Sequence, residues 1–135
     1  MTILFIFVTM ENTYPKHEKL KSRTLINQLF SEGKSVSKYP MRLVYVQVSE
    51  LDDSNIKLGV SVSKKHFKKA VDRNYYKRVL REAYRLNKSI LLDAVEDKNY
   101  AFMLLYQTKD RLTYQEVSEK TIQLFEKFQN TINNK

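Results

Sequence analysis

Cysteine is absent from the 135 residues, so neither a disulfide framework nor a thiolate metal site can be built. Tryptophan is also missing, and glycine and proline number only two each, which leaves few loops and mostly regular structure. The two histidines, His17 and His66, lack ligand spacing and are expected at the surface. Carboxylates are scattered, and the pair Asp52–Asp53 fits a solvated turn better than a metal site. A two-metal nuclease would need several carboxylates converging on a cleft. No glycine-rich phosphate loop, His/Cys cluster or Ser-His-Asp constellation can be assembled. The apolar start MTILFIFVT (residues 1–9) is too short to span a bilayer and has no cation ahead of it and no cleavage site after it. Met10 is the expected initiator, with residues 1–9 an over-extended reading frame. These gaps describe a binder with no resident cofactor and no membrane role, and the missing cysteines fit a reducing cytoplasm.

Basic charge is abundant, and it is concentrated. Residues 64–88 carry ten cations against Asp72 and Glu82, a local charge of +8 when the whole chain carries +9. At 100° per residue, Arg73, Asn74, Lys77, Arg78, Arg81, Arg85 and Lys88 fall within roughly 140° of a helix. Val71, Tyr75, Tyr76, Val79, Leu80, Ala83 and Leu86 fall opposite. Arg73, Lys77, Arg81 and Arg85 follow one another at i+4, a ridge of like charges that repel by a few tenths of a kcal/mol per pair. A merely solvated face would alternate acid with base, so the pattern indicates a polyanion whose phosphates lie along a groove. Asn74 shares the arc and can reach sugar or base. Most of the nine tyrosines and seven phenylalanines must be core, with Phe30, Tyr45 and Tyr106 as possible stacking surfaces. At this level a structural RNA-binding protein remains open, and a protein-only nuclease is disfavoured by the missing carboxylate cluster.

The remaining chain supplies a framework for this helix. Ser22 can cap a short amphipathic helix over 22–32 with Leu25, Ile26, Leu29 and Phe30 on one face and Gly33 as its stop. Residues 35–39 suggest a loop. MRLVYVQVS (41–49) and the alternating segment 56–63 suggest two strands joined by the turn 51–55 and paired antiparallel. A basic connection, 64–69, leads to the long helix at about 70–87, followed by a weaker helical stretch, 89–96. YAFMLLYQ (100–107) suits a central strand. Thr113 and Glu116 form a capping box for a last helix with Val117, Thr121, Leu124, Phe125 and Phe128 inward. The order α, β, β, α, β, α indicates an α+β fold, helices packed on a small mixed sheet. The expected domain is residues 13–130, after an unstructured or over-extended segment 1–12 and before a frayed tail, 131–135.

GVSVSKK (59–65) and AVDRNYYKRVLREAYR (70–85) resemble the signature of the bacterial ribonuclease P protein component, and the likeness extends over KLKS…LF…GKSV (19–36) and the later elements. The resemblance implies an α-β-β-(β)-α-β-α sandwich with a left-handed βαβ crossover. It also implies a cytoplasmic partner of a catalytic RNA that requires Mg2+, the two together removing 5′ leaders from precursor tRNA. Carried over residue by residue, RNA contact falls to Lys64, Lys65, Lys68, Arg73, Asn74, Lys77, Arg78, Arg81 and Arg85. A leader-binding cleft falls to Ile26, Phe30 and Tyr45. Tyr75 departs from the pattern, standing where the family carries arginine; at the border of the apolar arc it can stack on RNA or pack, and packing with a polar tip is the expectation.

Overall fold

The apolar run at 100–106 can bury both of its faces only at the centre of a sheet, and the rest of the architecture is arranged about it. The computed structural model describes residues 14–49, 51 and 55–133. The expectations for residues 1–12 and for the Asp52–Asp53 turn lie outside the described residues. In chain order come a single 3-10 turn at Lys16–Glu18, α1 (Arg23–Glu32), β1 (Lys34–Lys38), β2 (Met41–Val48), β3 (Ile56–Val62), α2 (Ala70–Val95), β4 (Asn99–Tyr106) and α3 (Tyr114–Asn133). The strands form one mixed sheet in the order β1-β2-β4-β3. β4 runs antiparallel to β2, with Leu104 opposite Leu43, and parallel to β3, with Phe102 opposite Leu58.

Alternation along each strand sorts the side chains onto two faces. One face carries Leu43, Tyr45, Leu58, Phe102 and Leu104 into the main core with Leu80 and Tyr84 of α2 and Phe125 and Phe128 of α3. Phe128 is the hub of this core, its ring 4.8 Å from Tyr45, 5.1 Å from Phe102 and 5.4 Å from Tyr100. The other face carries Val44, Ala101 and Met103 into a smaller cluster with Leu20 and Leu29, flanked by Ile26. The five inward residues expected of the last helix are all fully buried. Its capping box is closed in both directions, Glu116 N–H donating to Thr113 Oγ1 at 3.1 Å and Thr113 N–H to Glu116 Oε1 at 2.9 Å. Ser22 Oγ accepts from Leu25 N–H at 3.3 Å as the N-cap of α1.

Several local expectations are corrected. Residues 35–39, expected as a loop, belong largely to a polar edge strand, β1, in which Val36 alone is buried; its pairing with β2 runs along the backbone from Lys34 to Lys38. β2 and β3 are not neighbours, because β4 lies between them. Tyr100 N–H reaches Asn55 O at 2.9 Å while Asn99 Nδ2 reaches Ser49 O at 3.2 Å, so the start of β4 is held to both strands. α2 does not break near residue 88, since Leu91, Ala94 and Val95 prolong its buried stripe. The last helix continues through residues 131–133 rather than fraying there. Gly33 ends α1 in extended backbone, φ −70°, and a Cβ there would lie 2.1 Å from Leu29 O, so close approach rather than a left-handed turn selects glycine. His66 is half-buried, not a surface residue.

Candidate nucleic-acid interface

The connection between β3 and α2 takes its shape from Phe67. This side chain is only 4% exposed and stacks on Tyr76 at 4.9 Å, which pins the middle of the basic segment to the core. Ser63 O accepts from both His66 and Phe67 N–H, and Ser63 Oγ accepts from Lys65 N–H at 3.0 Å. Lys64, Lys65 and Lys68 are thereby turned outward and exposed. Arg73, placed in the phosphate ridge by the sequence, is half-buried, and its Nη1 donates to the carbonyls of Phe67 and Lys68, both at 2.8 Å. It orders the connection from behind. Arg111 also lies over the Phe67 ring at 5.5 Å and pairs with Asp72 at 3.3 Å.

Along α2 the expected ridge divides. Asn74, Arg78 and Arg81 are exposed, and Lys77 is half-buried. Arg85 is engaged by Glu82 through two hydrogen bonds, which hold the Glu82 carboxyl below its usual range. Lys88 is a correction to the wheel, for it lies inside. Its Nζ donates to both oxygens of Glu18 at 3.1 Å, and Tyr84 Oη donates to Oε1 of the same carboxylate at 2.9 Å. Burial first, and then the charge and hydrogen bond of Glu18, push the Tyr84 hydroxyl far above its ordinary value, so it remains a donor. This buried pair ties the N-terminal segment to α2.

That segment then runs beside the edge strand β3, with Leu20 N–H donating to Leu58 O at 3.0 Å and Tyr14 Oη donating to the same carbonyl. Between it, α1 and the sheet lies an open groove of about 480 Å³ lined by Tyr14, Lys19, Leu20, Lys21, Ile26, Gly59, Val60, Arg81 and Met103. The groove starts on the sheet face beneath α1 and passes over the β3 edge to Arg81. Burial pushes the Tyr14 hydroxyl up to about 12, against the pull of Arg81. Lys19 sits over the Tyr14 ring at 5.5 Å.

Of the three residues carried over to a leader cleft, Ile26 lines this groove. Phe30 lies one turn further along α1 and is 59% exposed. Tyr45 belongs to the other face of the sheet, where it is 6% exposed against Phe128. Its neighbours Val44 and Val46 are β2 residues on the α1 side. A one-residue difference in register exchanges the faces of a strand, and an alternation apolar on both sides conceals which face is which. Tyr106 is likewise buried at 1%. Lys19, Lys21 and Tyr14 were not singled out from the sequence. The two lysines are signalled only by the word KLKS, whose apolar Leu20 sits between them, and Tyr14 by nothing local. Tyr75, expected to pack, is 48% exposed and rests edge-on against Tyr76.

Comparison with known proteins bears on the family and the fold. The family model described as Ribonuclease P matches residues 14–129. A relative from Porphyromonas gingivalis, a ribonuclease P protein component, is 41% identical over 109 residues, covering 80% of each chain. Another from Dictyoglomus turgidum, of the same description, is 32% identical over 118 residues, covering 84% of this chain and 91% of the relative. Among solved structures, the RNase P protein from Thermotoga maritima superposes with a TM-score of 0.65 at 26% identity, covering 82% of this chain and 96% of that one. The Staphylococcus aureus RNase P protein gives 0.68 at 22% identity, a likeness of fold, over 84% of this chain and 96% of that one.

Proposed function

This chain belongs to the ribonuclease P protein family, and from that premise we propose how its surfaces divide the work of a ribonucleoprotein endonuclease. The chain is the protein partner of the ribonuclease P RNA. The exposed cations Lys64, Lys65, Lys68, Arg78 and Arg81, with Asn74 and Lys77 beside them, face that RNA. The groove from Ile26 to Arg81 takes the single-stranded 5′ leader of precursor tRNA. The observation that carries this reading is the continuity of the two surfaces: Arg81 stands on the cationic helix and also lines the groove. The leader can thus meet the ribonuclease P RNA at Arg81 with the phosphates of both facing positive potential.

The chemistry is assigned to the RNA. Among the described residues no three His, Asp or Glu side chains come together as a cation site. Glu18, Asp72 and Glu82 are each engaged by a cation of the same chain. These three carboxylates do not fit a resident metal, and the proposal assigns phosphodiester hydrolysis to the RNA. Mg2+ belongs with the RNA subunit in this account. The protein lowers the repulsion between two polyanions and lengthens the contact with substrate. Neutralising about five phosphates corresponds to a log–log salt slope near −4. The cytoplasm is the proposed compartment, in keeping with a chain that has no cysteine to oxidise.

The holoenzyme is expected to bind leader-carrying precursor more tightly than mature tRNA, and Lys21→Ala with Arg81→Ala to narrow that difference. Equal affinities of the wild-type holoenzyme for the two RNAs at matched salt would remove the leader from the groove.

A further inference from the structure

Of the four large apolar side chains that α2 exposes, Val71, Tyr75, Leu86 and Leu92, the first two lie together in its opening turns. Val71 is 71% exposed and Tyr75 48% exposed, and as an i, i+4 pair they adjoin on the helix surface. Single exposed apolar residues are ordinary. These two are adjacent and stand within the most cationic stretch of the chain, between Lys68 before them and Arg78 one turn after, both exposed. The Tyr75 ring is also held in place. It meets Tyr76 edge-on, centroids 5.0 Å apart and planes at 89°. Tyr76 is 3% exposed and packs in turn on Phe67 and Tyr106, at 4.9 and 4.8 Å. A ring seated on a rigid aromatic core loses little freedom when a second ring lies on it.

We infer that Tyr75, with Val71 beside it, is a stacking platform for one unpaired base of the ribonuclease P RNA. The inference rests on the RNA partnership proposed above and adds a contact that the charge pattern does not contain. Bases stack on aromatic side chains whatever their sequence, and the flanking cations complement the phosphates on either side of such a nucleotide. The ring is the working part and the hydroxyl is not. The contact therefore contributes affinity without releasing counterions, unlike a cation at the same position.

The test uses the protein with its full-length ribonuclease P RNA, measuring dissociation constants over a range of salt and the reactivity of unpaired bases to a base-specific probe. Tyr75→Phe should bind as wild type does. Tyr75→Ala and Tyr75→Leu should each bind about ten-fold more weakly, as expected for loss of one stacked base, with the salt slope unchanged. One base protected by wild type and by Tyr75→Phe should become reactive with both. Tyr75→Arg should steepen the slope by about 0.8, the share of one phosphate contact in the slope near −4. Wild-type affinity in Tyr75→Leu, or an equal loss in Tyr75→Phe, would overturn the platform. Arg78→Ala, which should weaken binding and shallow the slope, separates that failure from a failure of the RNA reading, in which wild type and Arg78→Ala would be alike.

Discussion

Arg73, Arg78 and Lys88 share one charge and one helix, yet each meets a different environment. Arg78 faces solvent, Arg73 turns back onto two carbonyls, and Lys88 is buried on Glu18. A helical wheel places all three on one arc because it knows only angles along the helix. Glu18 lies 70 residues away in the chain, and nothing local to Lys88 announces it. Removing one member of a buried pair leaves the other charge uncompensated, at a cost of about 3–5 kcal/mol. Lys88→Met should lose about that much stability in urea denaturation. Adding Glu18→Gln removes the stranded charge while keeping an acceptor for the Tyr84 hydroxyl, and should recover most of the loss. A Lys88→Met variant within about 1 kcal/mol of wild type would contradict the buried pair. Chemistry was thus legible residue by residue. Which charges face water was not.

At the scale of the element, legibility followed the strength of the local code. The last helix displays a capping box and a five-residue apolar stripe, and both appear as expected. Strand β4 is apolar on both faces and is central. β1 offers one apolar residue and could not be recognised, since its stability comes from backbone pairing with β2. The neighbour of β2 was misjudged because a short turn suggests a hairpin, whereas the apolar demand of β4 outweighs it. The basic connection shows how an element acquires function through others: its lysines point outward because Phe67, Arg73 and Arg111 hold its inner side. Arg73→Ala should speed amide exchange across residues 64–69, and Arg78→Ala should leave that exchange unchanged while shallowing the salt slope by about 0.8. Unchanged exchange in Arg73→Ala would remove its ordering role.

At the scale of the whole molecule, an excess of +9 becomes directional. The core lies on one face of the sheet with α2 and α3, while α1 and the N-terminal segment leave a groove on the other face and around the β3 edge. Signature words at 59–65 and 70–85 were sufficient to indicate the family, and the comparisons establish it. The course of the groove required the fold, because Tyr14, Lys21, Ile26 and Arg81 meet only when the first segment lies along β3. The central claim is that this chain binds and positions RNA while the RNA carries the reaction. Precursor-tRNA cleavage at low magnesium tests it directly, with protein alone, ribonuclease P RNA alone, and the two combined. Cleavage is expected only in the combination. Cleavage by the protein alone, or no stimulation when the RNA is added to it, would contradict it.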